Sequence, residues 1–131
     1  MKKRLLILPA LAFTLMSFVQ DDPVSEEQGM TVVNTTTLCP KVRGYADAVP
    51  VKIYIKDGKI SKIKSLPNAE TPKFWALIKK ELMPKWIGMD VKTASKAKVD
   101  AITGATLSSK ALQKNIQAGC GYYIKKVKSE E

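Results

Sequence analysis

The side chains best suited to chemistry lie in one hydroxyl-rich stretch, DAITGATLSS, at 100–109. An amphipathic segment follows it, so a helix is predicted to begin there, and the unpaired backbone N–H groups at such an end attract anions. Gly104 and Ala105 leave the backbone open to close approach, and hydroxyl donors lie around them at Thr103, Thr106, Ser108 and Ser109. The stretch therefore predicts a phosphate site. The alternative is an ordinary helix cap formed by Thr106, with no ligand.

The chain contains no histidine, which excludes several kinds of catalytic site. Ser-His-Asp and Cys-His catalysis both need an imidazole, and two cysteines cannot complete a structural zinc site. The remaining side chains are poor acid–base catalysts near neutral pH. We therefore expect no metal site and no catalytic residue, and any chemistry is expected to come from a bound cofactor.

The charge balance favours anionic partners. The chain has 22 basic and 12 acidic residues and a net charge of +10. Phosphate groups, nucleic acid or an anionic membrane surface would suit this charge, and so would a simple solvated lysine-rich surface. Arg43 is the only arginine after residue 20. Because base-specific contacts to nucleic acids rely on arginine, we expect no nucleic-acid partner.

The N-terminal segment is typical of an export signal. Basic residues precede an apolar run at 5–19, which has the length of a signal-peptide core and is short for a membrane-spanning helix. Residues 1–20 are therefore predicted to be a signal peptide or an N-terminal membrane anchor. The protein is expected to be exported, either to the periplasm or to the outer face of the cytoplasmic membrane. Residues 21–37 are polar and are predicted to be a flexible linker, which leaves 38–128 as the folded domain.

Two strands and a turn are predicted near the middle of the chain. PVKIYIK at 50–56 alternates apolar and polar residues, and Asp57-Gly58 is a common turn pair of β-hairpins. The spacing of three between Ile60 and Ile63 in the second strand predicts a bulge or twist. A further short strand is predicted at 42–45.

Two helices are predicted after the hairpin. The first begins near Pro72 and ends at Pro84, with a core-facing stripe of Phe74, Leu77, Ile78 and Leu82. The second follows the hydroxyl-rich stretch and has a stripe of Leu112, Ile116, Cys120, Tyr123 and Val127, with Gly119 and Gly121 expected to weaken its middle. Together these patterns predict a single α+β domain, a small antiparallel twisted sheet with helices packed on its apolar face.

The two cysteines, Cys39 and Cys120, lie near opposite ends of the predicted domain. In an oxidising compartment they could form a disulfide that closes a loop of about 80 residues. Two unpaired thiols are the alternative. Their separation excludes a CxxC redox motif.

Residues 100–106, DAITGAT, resemble the flavinylation motif of the FMN-binding domain family. This family includes flavin-carrying subunits of the sodium-pumping NADH:quinone oxidoreductase and of the Rnf electron-transfer complex, and many small exported proteins. Further short matches follow the family's order: GY at 44–45, KDGKI at 56–60, ETP at 70–72 and KWIG at 85–88. The resemblance spans roughly residues 40–118.

The resemblance implies roles for particular residues. Thr106 is expected to be esterified to the FMN phosphate, and Asp100, with Gly104 and Ala105, to be recognised by the flavin transferase that attaches the cofactor. Cofactor contacts are also implied for Thr103, Leu107 and Ser108 near the phosphate, and for Glu70 and Thr71 beside the isoalloxazine ring. Lys73 replaces a glycine that the family commonly has after the proline.

These observations predict an exported FMN-binding flavoprotein that carries electrons between membrane or periplasmic redox partner proteins. It is expected to be an electron carrier rather than a stand-alone catalyst. Two alternatives stay open at this point. One is an exported module that binds FMN or another phosphorylated ligand without a covalent bond, and the other is a basic protein that binds anionic surfaces such as a membrane.

Overall fold

The computed structural model describes residues 22–130, and the predicted signal segment lies outside them. Four strands form an antiparallel sheet in sequence order: β1 (Val24–Glu27), β2 (Met30–Asn34), β3 (Val51–Lys56) and β4 (Lys59–Ser65). The helices are α1 (Pro72–Leu77), the single turn α2 (Val91–Ala94) and the long α3 (Thr106–Ser129). This architecture confirms the predicted α+β domain. No helix within 22–130 is both long and apolar enough to cross a bilayer.

The β3–β4 hairpin forms as the sequence predicts. Its turn residues, Asp57 and Gly58, both have positive φ angles, of 52° and 76°, the conformation that a tight two-residue hairpin turn requires. The register shifts between Tyr54 and Ile55, so that Ile55 pairs with Ile60 while Tyr54 pairs with Lys62. This shift is the predicted bulge, and it gives the second strand its spacing of three.

The sequence predicts a flexible linker at 21–37, but the structure places β1 and β2 within this segment. The linker prediction is therefore wrong for residues 24–34, which pair as a hairpin with β2 bonded to β3. Val32 and Val33 are completely buried. Adjacent residues of a strand face opposite sides of the sheet, so Val32 is buried on one face and Val33 on the other. The sequence of β2 therefore lacks the alternation of apolar and polar residues that indicates a strand.

The sheet face opposite the helices has a small cluster of its own. Tyr54 pairs with Val32 across the strands and is nearly fully buried, and its hydroxyl donates to the Glu27 carboxylate at 2.8 Å. Lys52 donates to the same carboxylate at 2.9 Å. Hydrogen bonds from Lys52 and Tyr54 lower the pKa of Glu27. Glu27 thus ties β1 to β3, which the sequence pattern did not indicate.

α3 packs against the sheet through the first part of its predicted stripe. Leu112, Ile116 and Cys120 are fully buried. Tyr123 is partly buried and Val127 is exposed, so the burial of the stripe decreases toward the C-terminal end of the helix. Near this far end, the Lys126 ammonium lies 3.4 Å from the carboxylate of Asp22, just before β1.

Gly119 is a position of close approach between α3 and the sheet. A Cβ at this position would lie 2.6 Å from Ile53 Cδ1 and 3.0 Å from Thr35 Cγ2. Only glycine therefore lets the helix lie this close to β3 without displacing core side chains. The predicted weak point of the helix is instead one of its tightest packing positions.

The predicted first helix changes type along its length. α1 is regular for six residues, a π-helical turn follows at Ile78–Leu82, and a 3₁₀ turn at Met83–Trp86. Pro84 does not end the segment as predicted, because it occupies the 3₁₀ turn. Proline has no N–H and its ring excludes a regular α-helical bond to the carbonyl four residues earlier, so the chain leaves the α form before Pro84. Trp86, at the end of the segment, is fully buried.

A buried polar network joins the start of the domain to α3. The Thr35 hydroxyl donates to Asn115 Oδ1 at 2.7 Å, and the Cys39 thiol donates to the same oxygen at 3.3 Å. Both Cys39 and Cys120 are free thiols, so the structure has the unpaired alternative rather than the disulfide. Burial raises the pKa of Cys39 and raises that of Cys120 to about 12.

Candidate cofactor site

The hydroxyl-rich stretch forms a tight turn that leads into α3. The Ala105 N–H donates to the Ile102 carbonyl at 2.9 Å, and Gly104, in the third position of this turn, has a φ of 87°. A type II turn needs a positive φ at that position, which glycine adopts without steric cost. The buried Ser109 hydroxyl accepts a hydrogen bond from the Ile102 N–H at 3.0 Å. Ser109, in the first turn of α3, thus stabilises the 102–105 turn through this hydrogen bond.

The N-terminus of α3 has no side-chain cap. Thr106 is the first helical residue. Ala105 precedes it in the capping position, and its methyl side chain cannot accept a hydrogen bond from the helix N–H groups. Capping by Thr106, the ligand-free alternative, is therefore not what the structure shows. The first intrahelical bond runs from the Ser109 N–H to the Ala105 carbonyl. The three N–H groups before it, at 106–108, stay available to an anion at the positive end of a 24-residue helix.

A pocket of about 440 Å³ opens at this helix end. One wall is the turn and the first helical residues, and the other is formed by residues from two distant segments. The lining residues are Tyr45, Thr71, Phe74, Gly104, Ala105, Thr106, Leu107 and Ser108. The volume is in the range of small-molecule sites, which combine apolar walls with a few polar anchors.

The pocket walls gather apolar side chains that are otherwise rare on the surface. Five large apolar side chains are exposed within residues 22–130, and three of them line this pocket: Tyr45, Phe74 and Leu107. An exposed apolar cluster beside an anion-binding helix end suits a ligand with a flat apolar body and a phosphate. The spacing predicts Phe74 in the core stripe, but the side chain is 37% exposed and lines the pocket.

Glu70 lies outside the pocket lining and stabilises the pocket walls through hydrogen bonds. Its side chain is only 6% exposed, and its carboxylate accepts hydrogen bonds from the N–H groups of Tyr45 at 2.8 Å and Ala46 at 2.7 Å. The same carboxylate accepts a hydrogen bond from the buried Ser108 hydroxyl. These bonds join the 45–47 loop, the start of α1 and the start of α3. The predicted strand at 42–45 is wrong, because its N–H groups have other partners: Val42 donates to the Cys39 carbonyl, Gly44 to the Asp47 carbonyl and Tyr45 to Glu70.

The environment of Glu70 keeps it ionised. Burial raises the pKa of its carboxyl, but hydrogen bonds from Ser108 and from the Ala46, Tyr45 and Asp47 backbone outweigh this, and the pKa lies below its usual range. Gly44 makes room for the group, because a Cβ there would collide with the Glu70 carboxylate.

The structure brings most of the sequence-predicted site residues together. Thr71, Gly104, Ala105, Thr106, Leu107 and Ser108 all line the pocket. Thr103 and Asp100 are exposed and lie outside the lining, and Glu70 is buried behind it. Sequence reasoning missed Tyr45 and Phe74 as wall residues. The signal for Tyr45 was the GY match to the family at 44–45.

A family model described as the FMN-binding domain matches residues 44–120, more than half of the chain. The chain belongs to the FMN-binding domain family. No curated protein and no solved structure matches it at a significant level.

The matched region of this FMN-binding domain begins beside Tyr45 and ends within α3, so it contains every residue of the pocket. The pocket fits FMN on its own chemistry: free N–H groups and the Thr106 hydroxyl suit the phosphate, and the apolar walls suit the isoalloxazine ring. The resemblance found in the sequence is thereby confirmed at the level of the family and its cofactor. Among residues 22–130, no group of His, Cys, Asp or Glu side chains is placed to hold a metal ion.

Proposed function

We propose that this FMN-binding domain is an exported electron carrier whose FMN is attached by a phosphoester to the Thr106 hydroxyl. The observation that supports it best is the position of Thr106. It is exposed, it lines the pocket, and it is the first residue of α3, beside the free N–H groups that would hold the phosphate. A phosphate bound there is held next to the hydroxyl that must bond to it.

The neighbouring hydroxyls are less suited to attachment. Ser108 is 4% exposed and donates to Glu70, and Ser109 is 3% exposed and holds the Ile102 N–H. Thr103 is exposed but lies outside the pocket lining. Thr71 is an exposed lining residue, but it precedes the six-residue α1 rather than the long α3. Thr106 therefore combines exposure with the stronger anion-binding end.

The proposal of a carrier rather than a catalyst rests on what lines the pocket. When bound, FMN supplies reversible electron transfer. Tyr45, Phe74 and Leu107 would provide apolar contact to the ring, and no carboxylate or amine is among the lining residues. The pocket lining therefore offers no acid–base group to a substrate near neutral pH, and its opening to solvent would leave the ring accessible to another redox protein.

The proposed partners are a flavin transferase and membrane or periplasmic redox proteins. Asp100 is exposed on the loop that leads to the turn, where a modifying enzyme can reach it. Export is proposed from the basic and apolar residues of segment 1–20, which lies outside the described residues.

Co-expression with a flavin transferase tests covalent attachment, with fluorescence read on a denaturing gel. We expect fluorescence from the natural chain and from Thr103→Ala, and none from Thr106→Ala. Fluorescence that persists in Thr106→Ala would contradict attachment at this residue. If the gel band is not fluorescent but acid precipitation of the purified protein releases flavin, the result would instead support non-covalent binding. Salt-dependent binding to anionic vesicles without flavin absorbance would support the surface-binding alternative.

A further inference from the structure

The outer edge of β4 is only half covered. At its start, the Ile60 N–H donates to the Met89 carbonyl at 2.9 Å, and the Gly88 N–H donates to the Ile60 carbonyl at 2.8 Å. Lys59 and Asp90 complete a short antiparallel bridge. The segment at 88–90 thus acts as a very short fifth strand that stops at the bulge.

Beyond the bulge, the backbone edge is open. The Leu66 N–H donates to the Pro50 carbonyl at 3.1 Å, so Leu66 faces β3. Because backbone groups alternate along a strand, those of Ile63 and Ser65 point away from β3. Within residues 22–130, neither backbone N–H has a partner on this outer side. Unpaired edge groups of this kind are templates for a further strand.

A groove of about 350 Å³ runs along this open edge. It lies between β4 and the π and 3₁₀ turns that follow α1. Its lining residues are Ser61, Lys62, Ile63, Ser65, Lys79, Met83, Pro84 and Ile87, and none of them lines the FMN pocket. Ile87 is 43% exposed within it.

The lining defines the chemistry of an occupant. Met83, Pro84 and Ile87 provide an apolar wall, Lys62 and Lys79 provide two positive charges, and the lining contains no acidic residue. The Lys62 ammonium lies 4.4 Å from the centroid of the Tyr54 ring, so its position at the strand is fixed by a cation–π contact. An occupant needs backbone groups for the edge, apolar side chains for the wall and carboxylates for the lysines.

We propose that this edge binds an extended, acidic segment of a partner protein, which adds to β4 as a strand and continues the line begun by 88–90. Main-chain bonds to Ile63 and Ser65 supply affinity, and the wall and the two lysines select the sequence. A second copy of this chain is a poor occupant, because Lys62 and Lys64 would then face the same lysines of the other copy. The inference does not depend on FMN attachment.

The test uses the full chain, both flavin-free and FMN-loaded, with an N-acetylated hexapeptide of alternating glutamate and valine as the probe. We expect saturable binding in both forms, with amide chemical-shift changes and slowed hydrogen exchange at Ile63 and Ser65. The control is a peptide of the same sequence with N-methyl groups on alternate amides, those that would face β4. It cannot form the hydrogen bonds to the β4 edge and should not bind. A lysine–valine peptide should not bind either.

Two neighbouring lysines give a matched pair of variants. Lys79 lines the groove, whereas Lys80 is also exposed but is not among the lining residues. Lys79→Glu should weaken peptide binding about tenfold through like-charge repulsion, and Lys80→Glu should leave it nearly unchanged. Equal effects of the two variants, binding by the N-methylated peptide, or shift changes centred away from β4 would each overturn the proposal. Edge-to-edge dimers without peptide would identify a second copy as the occupant instead.

Discussion

The Glu70 carboxylate accepts a hydrogen bond from the Ser108 hydroxyl. Glu70 lies two residues before α1 and Ser108 lies in the first turn of α3, so this bond connects the two helix starts. The two residues are 38 positions apart in sequence, and both are buried. On its other side the same carboxylate holds the Tyr45 and Ala46 N–H groups. Both walls of the pocket therefore depend on one ionised side chain that does not itself face the cofactor.

Replacing Glu70 by glutamine keeps the size of the side chain but should weaken the contacts that hold the two pocket walls together. The amide offers one acceptor oxygen in place of two, so at least one buried donor loses its partner, at a cost of about 1–3 kcal/mol in the free energy of unfolding. FMN affinity should fall as the walls separate. Chemical denaturation and a fluorescence titration with FMN measure the two effects. Glu81→Gln, on an exposed turn, is the control and should change neither quantity.

The ionised Glu70 also predicts an acid dependence of stability. Its pKa is lower in the folded protein than its ordinary value near 4.5, so its contribution is fully present above that value and is lost as the pH falls toward the folded pKa. The natural chain should therefore lose stability below about pH 4.5 more steeply than Glu70→Gln does. Unfolding curves in denaturant across this pH range compare the two. Parallel curves would show that Glu70 makes no such contribution.

Gly104→Ala should disturb the turn before α3. The φ of 87° places the residue in a region that costs an L-residue roughly 1–2 kcal/mol. The space itself is sufficient, since the nearest atom to an added Cβ, Phe74 Cε1, would lie 3.6 Å away. We expect a loss of stability of this size and weaker flavin loading, measured by thermal unfolding and by the absorbance of bound flavin. Unchanged loading would show that the turn is not needed to present Thr106.

Two glycines of α3 provide a direct test of helix–sheet packing. Gly119→Ala should destabilise the domain by about 1–3 kcal/mol, because the new methyl group presses on Ile53 and Thr35. Gly121→Ala should stabilise it by roughly 0.5–1 kcal/mol, since nothing lies within 4 Å and alanine favours the helix. Denaturant unfolding of the two variants should give shifts of opposite sign. Shifts of the same sign would contradict the close approach of α3 to β3.

The two thiols should differ in reactivity. Cys39 is partly exposed, whereas Cys120 is fully buried with a pKa of about 12. Because the thiolate is the reactive form, iodoacetamide near pH 8 should modify Cys39 first and Cys120 only after unfolding. Mass spectrometry of peptides from the unreduced protein measures both sites. A disulfide-linked peptide pair would contradict the free thiols seen in the structure.

Sequence patterns predicted the elements that are stabilised by local rules. The β3 sequence alternates apolar and polar residues, the turn pair after it has a strong backbone preference, and α3 has a long apolar stripe. β1 and β2 were missed because they are short and because Val32 and Val33 fill opposite faces. The change of helix type before Pro84 was missed because the proline was taken to end the helix, whereas the chain continues through a π turn and a 3₁₀ turn.

The candidate site divides in the same way. Its anion-binding half is contiguous in sequence, from Gly104 to Ser108, so the motif located it. Its other half is assembled from separate segments, and no local rule predicts that Phe74 leaves the core stripe to face Gly104. The sequence suggests Glu70 as a site residue, but the groups that bond to its carboxylate lie 23 to 38 positions away. Only the folded chain shows that Glu70 supports the pocket rather than lining it.

The ion pair between Asp22 and Lys126 fixes where the preceding chain joins the domain. Thr106 lies 20 residues earlier on the same helix, so about 30 Å of helix separates the two positions. α3 thus acts as a rigid spacer between the point of entry and the flavin phosphate. If the preceding segment anchors the protein in a membrane, the cofactor is presented on the side away from the lipid, within reach of partners that approach from the aqueous phase.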